Sequence, residues 1–297
     1  MQERVRSRGA TLAAVAALRS RLGEALFLRV AGPEGSRRRE RIHGAPGPRW
    51  FPPGSPIQEV HGDASMFIGG MRALMLQALH PVAMTAVSEH SGYRGDMWGR
   101  LARTSTFLAV TTFATAEDAE ATVAAIRRIH DSVTGTMPDG APYAASDPHL
   151  LQWVHVAEID SFLRAYQRYG HAPLDQAGRD EYVAQTAVVA QKLGVLDPPR
   201  TESGLAEVLA SYRPELRGTD HAHEAISHLV WHPDLPPAAR PGYLVLAAAA
   251  IDMMPAWTRR ELRLPRLPLA GAGTLGRFAT RTIRWAMAMP PVTERAA

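Results

Sequence analysis

The residues best suited to chemistry lie in one short stretch, on three segments with the periodicity of amphipathic helices. The middle segment, 116–134, opens with an N-cap threonine and acidic residues in its first turn. Val123, Ile126, His130 and Val133 follow at spacings of three, four and three. This spacing places the imidazole on the same helix face as the apolar side chains. A buried imidazole needs a partner, and a metal is one that it commonly binds.

The segments on either side carry further polar groups on faces that should be buried. Arg100 and Thr104 share a helical face, with Arg103 at its edge, and His155 lies on an apolar face of the third segment. The simplest explanation is that these groups hydrogen-bond one another, since an unpaired buried polar group costs about 1–3 kcal/mol. Their concentration in one stretch favours a buried cofactor that would satisfy them together.

Several kinds of site can be compared with these residues. The chain has no cysteine, which excludes zinc–thiolate sites and iron–sulfur clusters. It has no G-x-S-x-G nucleophile motif and no repeated Glu-x-x-His motif for a di-iron centre. Haem needs one axial histidine in an apolar slot, with polar groups to control oxygen. Haem therefore fits best, with His130 as axial ligand and Arg100, Arg103 and Thr104 as distal donors or propionate partners.

Composition gives little indication of a macromolecular partner. The chain has 297 residues, of which 46% are hydrophobic, and a formal net charge of +4. The one basic cluster, Arg37, Arg38, Arg39 and Arg41, lacks interleaved aromatic residues, so we expect a solvated loop and no nucleic acid. No apolar run reaches the roughly 20 residues that span a bilayer, and no clear secretory signal is present. We therefore expect no integral membrane segment and a cytoplasmic location.

The periodicity predicts an all-α fold in a single domain of about ten helices, with ligand space between them. Residues 10–29 are expected to form a first helix, and 32–63, rich in proline and glycine, an irregular arm. We divide the chain into an N-terminal helix and basic arm over 1–44 and a helical domain over 45–297. Adjacent glycines, Gly69 and Gly70, lie in an apolar helix, where they would admit either a neighbouring backbone or a flat cofactor.

A series of short motifs, in order along the chain, is similar to one known family. They are Gly70-Met-Arg72, Gln77-Ala-Leu-His80-Pro81, His90-Ser91, Arg100-Leu-Ala-Arg103-Thr104, His130 with Gly135, Tyr143 with Asp147-Pro148, Trp153-Val-His155, and Tyr166-x-x-Tyr169-Gly170. Together they resemble the MpaB-type oxygenases, a family that includes the latex-clearing rubber oxygenases. The resemblance covers most of the chain.

The resemblance implies a globin-like helical packing around haem b and oxygenation with dioxygen. It assigns the proximal iron ligand to His130 and two distal roles to Arg100 and Thr104. Arg103 stands where the family has a lysine, which keeps the charge but changes the donor geometry. The family also uses a distal glutamate as a base, and Glu89 is the nearest candidate in order.

Other residues in the matched motifs are candidates for cofactor binding. His80, His90 and His155 compete with His130 as ligands or have roles in orienting the haem, and Gly70 and Arg72 are further cofactor-binding candidates. We therefore predict a haem b-dependent oxygenase that acts with dioxygen on an apolar organic substrate. The alternatives are a helical haem- or lipid-binding protein without turnover, and a haem-free relative with different chemistry. The substrate is expected to enter between the His80-Pro81 break and the loop over 135–148.

Overall fold

The computed structural model describes residues 19–20, 23–25, 27–92, 96–264 and 271–287. Helices dominate these ranges, and the only strands within them form one two-stranded hairpin. The predicted all-α class is confirmed. The first half of the helix expected over 10–29 lies outside the described residues, but residues 27–31 are helical. None of the described helices is both long and apolar enough to cross a membrane.

The elements alternate long helices with short connections. In chain order they are α1 (Gly35–Gly44), α2 (Pro56–Gly62), α3 (Met66–Gln77), α4 (Pro81–His90), α5 (Met97–Phe113), α6 (Ala116–Ser132), β1 (Thr134–Thr136), β2 (Pro142–Ala144), α7 (Pro148–Tyr169), α8 (Gln176–Leu193), α9 (Glu202–Ser211), α10 (Asp220–Ile226), α11 (Arg240–Asp252), α12 (Ala256–Glu261) and α13 (Ala272–Met287). Three-residue 3₁₀ helices occupy Arg213–Glu215 and Pro237–Ala239, and a π-helical turn occupies Ser227–Trp231.

The expectation of an irregular arm over 32–63 is wrong, because α1 and α2 both form within it. The basic cluster lies on α1 rather than on a loop. There Glu34 pairs with Arg37 at 2.8 Å, and Arg41 pairs with Asp118 of α6 at 2.6 Å. These ion pairs lie at the surface, and each contributes little to stability. A helix can form here because the run between Gly35 and Gly44 contains no proline to interrupt it.

Helix α7 lies at the centre of the core and packs against α3, α8 and α9. Its Trp153 is fully buried. An added Cβ on Gly69 of α3 would lie 3.1 Å from Phe162 and 3.2 Å from Ala165, so glycine allows α3 to approach α7 closely. An added Cβ on Gly70 would meet nothing within 4 Å. Tight helix packing therefore explains Gly69, and Gly70 faces open space.

Helices α5 and α6 form a pair joined by a two-residue connection. Thr115 caps α6 by accepting a hydrogen bond from the Asp118 amide at 3.2 Å, as its position predicted. Because α6 ends at Ser132, Val133 lies beyond the helix. The connector expected to be a loop is the β1–β2 hairpin, which turns at Gly140 with φ +89°.

Candidate functional site

Two adjoining cavities lie between α5, α6 and α7. The larger has a volume of about 260 Å³ and the smaller about 90 Å³; we call them the large and small cavities. His130, Leu151 and Val154 line both of them. Arg100 and Thr104 of α5 also line the large cavity, among mostly apolar side chains from α3, α4 and α7. The structure thus brings together three residues that the sequence singled out.

The small cavity continues along the same faces of α5 and α7. Phe107 and Thr111, which follow Arg100 and Thr104 on one face of α5, lie on its wall. His155 and Ile159 of α7 line it as well. Because these residues share the helical faces of Arg100, Thr104 and His155, one continuous wall runs along both cavities.

Both cavity histidines of α6 and α7 have an unsatisfied ring nitrogen. Within the described residues, Nδ1 of His130 and Nε2 of His155 are buried and have no hydrogen-bond partner. Burial lowers the pKa of His130, and it lowers the pKa of His155 to about 4. Each imidazole is therefore neutral at pH 7, which is the form that binds a metal.

Two titratable residues of the small cavity were not identified from the sequence. Burial raises the pKa of Glu158 to about 7, and burial lowers the pKa of His61 to about 3. His61 is held by Thr112 Oγ1 at 2.8 Å and by the Tyr182 hydroxyl at 3.2 Å. Glu158 follows His155 by three residues, a spacing that places both on one helix face and could have revealed it.

The two arginines of the Arg-x-x-Arg-Thr motif separate in space. Arg100 lines the large cavity and donates a hydrogen bond from Nη1 to Ser91 Oγ at 3.1 Å. The Arg103 side chain is 65% exposed and lies 3.8 Å from Asp96, the N-cap residue of α5. Arg103 lines neither cavity. Arg100 and Thr104 therefore belong to the wall of the large cavity, while Arg103 lies at the surface.

Glu89 and His90 form a separate cluster with Tyr143. The Tyr143 hydroxyl donates to the Glu89 carboxylate, and His90 Nε2 lies 3.1 Å from the same hydroxyl. Burial, together with the Glu89 carboxylate, raises the pKa of Tyr143 to about 12. A Cβ on Gly135, which pairs with Tyr143 across the hairpin, would overlap that hydroxyl. Neither Glu89 nor His90 lines a cavity, so this cluster fixes the hairpin against α4.

Arg72 and His80 also line neither cavity. The Arg72 side chain, 2% exposed, forms an ion pair with Asp160 at 2.8 Å and donates to Ser161 Oγ at 2.7 Å. It joins α3 to α7 through buried charges. His80 caps α4 by accepting from the Ala83 amide at 3.4 Å, and its other ring nitrogen faces Glu215.

Comparison with known proteins matches this chain to a family model. The family model of the ER-bound oxygenase mpaB/B'/rubber oxygenase catalytic domain matches residues 58–285, a span from α2 into α13 that includes both cavities. No curated protein and no solved structure gives a significant match to the chain. Because the matched span exceeds half of the chain, the protein belongs to the mpaB and rubber oxygenase catalytic-domain family.

Proposed function

We propose that this protein is a haem b-dependent oxygenase that acts with dioxygen on an apolar organic substrate. The family supports oxygenase activity in general. The observation that carries the proposal further is the grouping of Arg100, Thr104 and His130 on the wall of one largely apolar cavity. Such a grouping suits a flat apolar cofactor that needs an axial ligand, a cation for its propionates and a distal hydrogen-bond donor.

The residues present fit haem. His130 has a buried ring nitrogen without a partner and is neutral at pH 7, so it would hold the iron as the proximal ligand. Arg100 offers a permanent positive charge to a propionate. His155 is the alternative ligand, because it shares the small cavity with His130. Haem, when bound, would supply the iron that activates dioxygen.

The side chains of the cavity walls would bind the substrate, exclude water, donate hydrogen bonds and exchange protons. The apolar residues of α3, α4 and α7, among them Leu74, Met84 and Val154, would bind an apolar substrate and exclude water. Thr104 and Arg100 would donate hydrogen bonds to oxygen atoms that gain negative charge. Glu158 can hold or release a proton near pH 7 because its pKa is raised.

The absorption spectrum of the purified chain, supplied with haem during expression or afterwards, tests the proposal. We expect a Soret band and about one haem per chain for the wild-type protein. His130→Ala should lose the haem, whereas His171→Ala, a change at an exposed histidine, should keep it. Full haem occupancy with an unchanged spectrum in His130→Ala would refute the assignment of the ligand, and failure of the wild type to bind haem would refute the proposal.

A further inference from the structure

A second group of side chains that could ligate a metal ion is formed by residues outside the two cavity linings. His80, His149 and Glu215 each offer one ligand atom, and these atoms all lie within 4.8 Å of one another. None of the three lines a cavity. His80 precedes α4, His149 is the second residue of α7, and Glu215 ends the 3₁₀ helix Arg213–Glu215. The group therefore joins three segments that are distant in sequence.

Glu215 lies between the two imidazoles. Its Oε2 is 2.9 Å from His149 Nε2 and 3.3 Å from His80 Nε2. A divalent ion binds nitrogen and oxygen ligands at about 2.0–2.2 Å, so it holds ligand atoms roughly 3–4 Å apart. The separations to Glu215 already match that requirement. Two imidazoles and a carboxylate are a donor set suited to zinc, iron and neighbouring transition metals.

The hydrogen bonds around His149 favour a free lone pair on the nitrogen that faces Glu215. Tyr212 donates its hydroxyl proton to the His149 carbonyl oxygen at 2.8 Å. The phenolic oxygen, 3.3 Å from His149 Nδ1, is then available to accept a proton from that nitrogen. With the proton on Nδ1, a neutral His149 directs the Nε2 lone pair at a carboxylate. A positive charge between them, from a second proton or from a cation, removes the repulsion.

His80 contributes the buried side of the group. Its side chain is 3% exposed, and its Nε2 is buried and not aligned with any hydrogen-bond partner. The ring centroid lies 6.1 Å from that of Trp153 and 6.3 Å from that of Tyr212, so packing restricts its orientation. Coordination through Nε2 places the ring proton on Nδ1 and displaces the contact from Ala83, which at 3.4 Å is a weak hydrogen bond.

We propose that His80, His149 and Glu215 bind one divalent transition-metal ion of the zinc class. The side chains of His149 and Glu215 are 52% and 43% exposed, which provides the ion with an entry path from solvent. The same exposure leaves coordination positions open to water or to an added ligand. The bound ion links the starts of α4 and α7 to the 3₁₀ helix Arg213–Glu215. This site is independent of the haem proposal, since it shares no residue with the cavities.

Calorimetric titration of the tag-free, chelator-treated full chain with Zn²⁺ tests the site. We expect saturable binding, and a loss of affinity of about tenfold or more in His149→Ala and in Glu215→Gln, because each removes one of three ligands. Both positions are partly exposed, so both variants should fold. His171→Ala, which changes an exposed histidine elsewhere, should bind as the wild type does.

Thermal unfolding gives a second measurement that does not depend on haem. Zn²⁺ should raise the Tm of the wild type and of His171→Ala, but not that of His149→Ala, since binding to the folded state stabilises it. No saturable binding by the wild type would overturn the proposal. Wild-type affinity retained in both His149→Ala and Glu215→Gln would also overturn it.

Discussion

His130 of α6 and His155 of α7 line the same small cavity, and each carries a buried ring nitrogen with no hydrogen-bond partner among the described residues. Only His130 also reaches the large cavity, where Arg100 and Thr104 lie. In the function that we propose, this difference in position gives the two imidazoles different roles. His130 would bind the cofactor in the cavity that it shares with Arg100 and Thr104, and His155 would affect that cofactor from the small cavity.

We expect His155→Ala to retain haem but to alter its absorption spectrum. The change removes a neutral imidazole from the small cavity and leaves His130 in place, so the proximal ligand persists while its surroundings change. Haem content per folded chain, measured with the Soret spectrum, checks this. Loss of haem in His155→Ala together with its retention in His130→Ala would exchange the roles of the two residues.

Arg100→Ala and Thr104→Val should slow oxygen consumption by the reduced, haem-loaded protein. Loss of one preorganised donor typically costs on the order of 100-fold in rate. Arg103→Ala is the matched control, because its side chain lies at the surface beside Asp96, and the rate should change little. Haem content should be measured alongside, since Arg100 is also placed to hold a propionate. A larger effect from Arg103 than from Thr104 would show that the distal donor had been misassigned.

Helical periodicity predicted the parts of the site that depend on one helix at a time. The faces of α5 and α7 follow from spacing alone, and the structure places Arg100, Thr111 and His155 on the walls of two adjoining cavities. Helix α7, Pro148–Tyr169, carries His155 as its periodicity predicts, and Asp147 and Pro148 provide a clear start for it.

What periodicity could not predict depends on contacts between distant segments. His61 reaches the small cavity only because α2 forms and packs beside α7, whereas the prolines and glycines of 32–63 predict an irregular arm there. Periodicity places Arg103 at the edge of the face that carries Arg100, which leaves its exposure open, and the structure places its side chain at the surface, 3.8 Å from Asp96. The role of Arg72 follows from its pairing with Asp160, which lies on another helix.

Glu158→Gln should change the pH dependence of stability. Because the pKa of Glu158 is about 7 in the folded chain and near 4.5 when exposed, the folded state binds more protons between these values. The stabilisation that protonated Glu158 gives the folded state is therefore lost as the pH rises from 4.5 to 7. The free energy of unfolding falls by about 2 kcal/mol over this range, after allowance for the adjacent cavity. Glutamine does not titrate, so Glu158→Gln should not show this fall. Chemical unfolding from pH 4.5 to 8 measures the difference between the two proteins.

The difference between wild type and Glu158→Gln is the quantity to follow, because the cavity histidines have the opposite dependence. The lowered pKa of His155, about 4, means that its unfolded form binds more protons below pH 6.5. Its contribution to stability is lost as the pH falls from 6.5 to 4. Since both proteins contain His155, that dependence cancels. An identical pH profile for the two proteins would show that Glu158 titrates normally.

Arg72→Ala should destabilise the fold by about 3–5 kcal/mol, since removal of one partner leaves the buried Asp160 carboxylate without its deepest cation. Arg164 also contacts Asp160, at 2.7 Å, but its side chain is 57% exposed. Arg164→Ala is therefore the control and should cost about 1 kcal/mol or less. Chemical unfolding measures both. The haem content of the folded fraction should stay unchanged. Specific loss of haem in Arg72→Ala would instead show that Arg72 contributes to cofactor binding.

We expect an apolar substrate to lie in the large cavity. Ala83 and Met84, just after the His80-Pro81 break, line the large cavity, and so does Ala145 at the end of the hairpin. Ala145→Phe should place a ring in that space. It should lower the affinity for an apolar ligand such as 1-octanol by about tenfold or more, because a filled cavity leaves no apolar surface for the ligand to bury. Ala177→Phe makes the same change at an exposed position and should have no effect. Titrations followed through the haem spectrum measure both affinities. Equal affinity in Ala145→Phe and Ala177→Phe would place the ligand outside the large cavity.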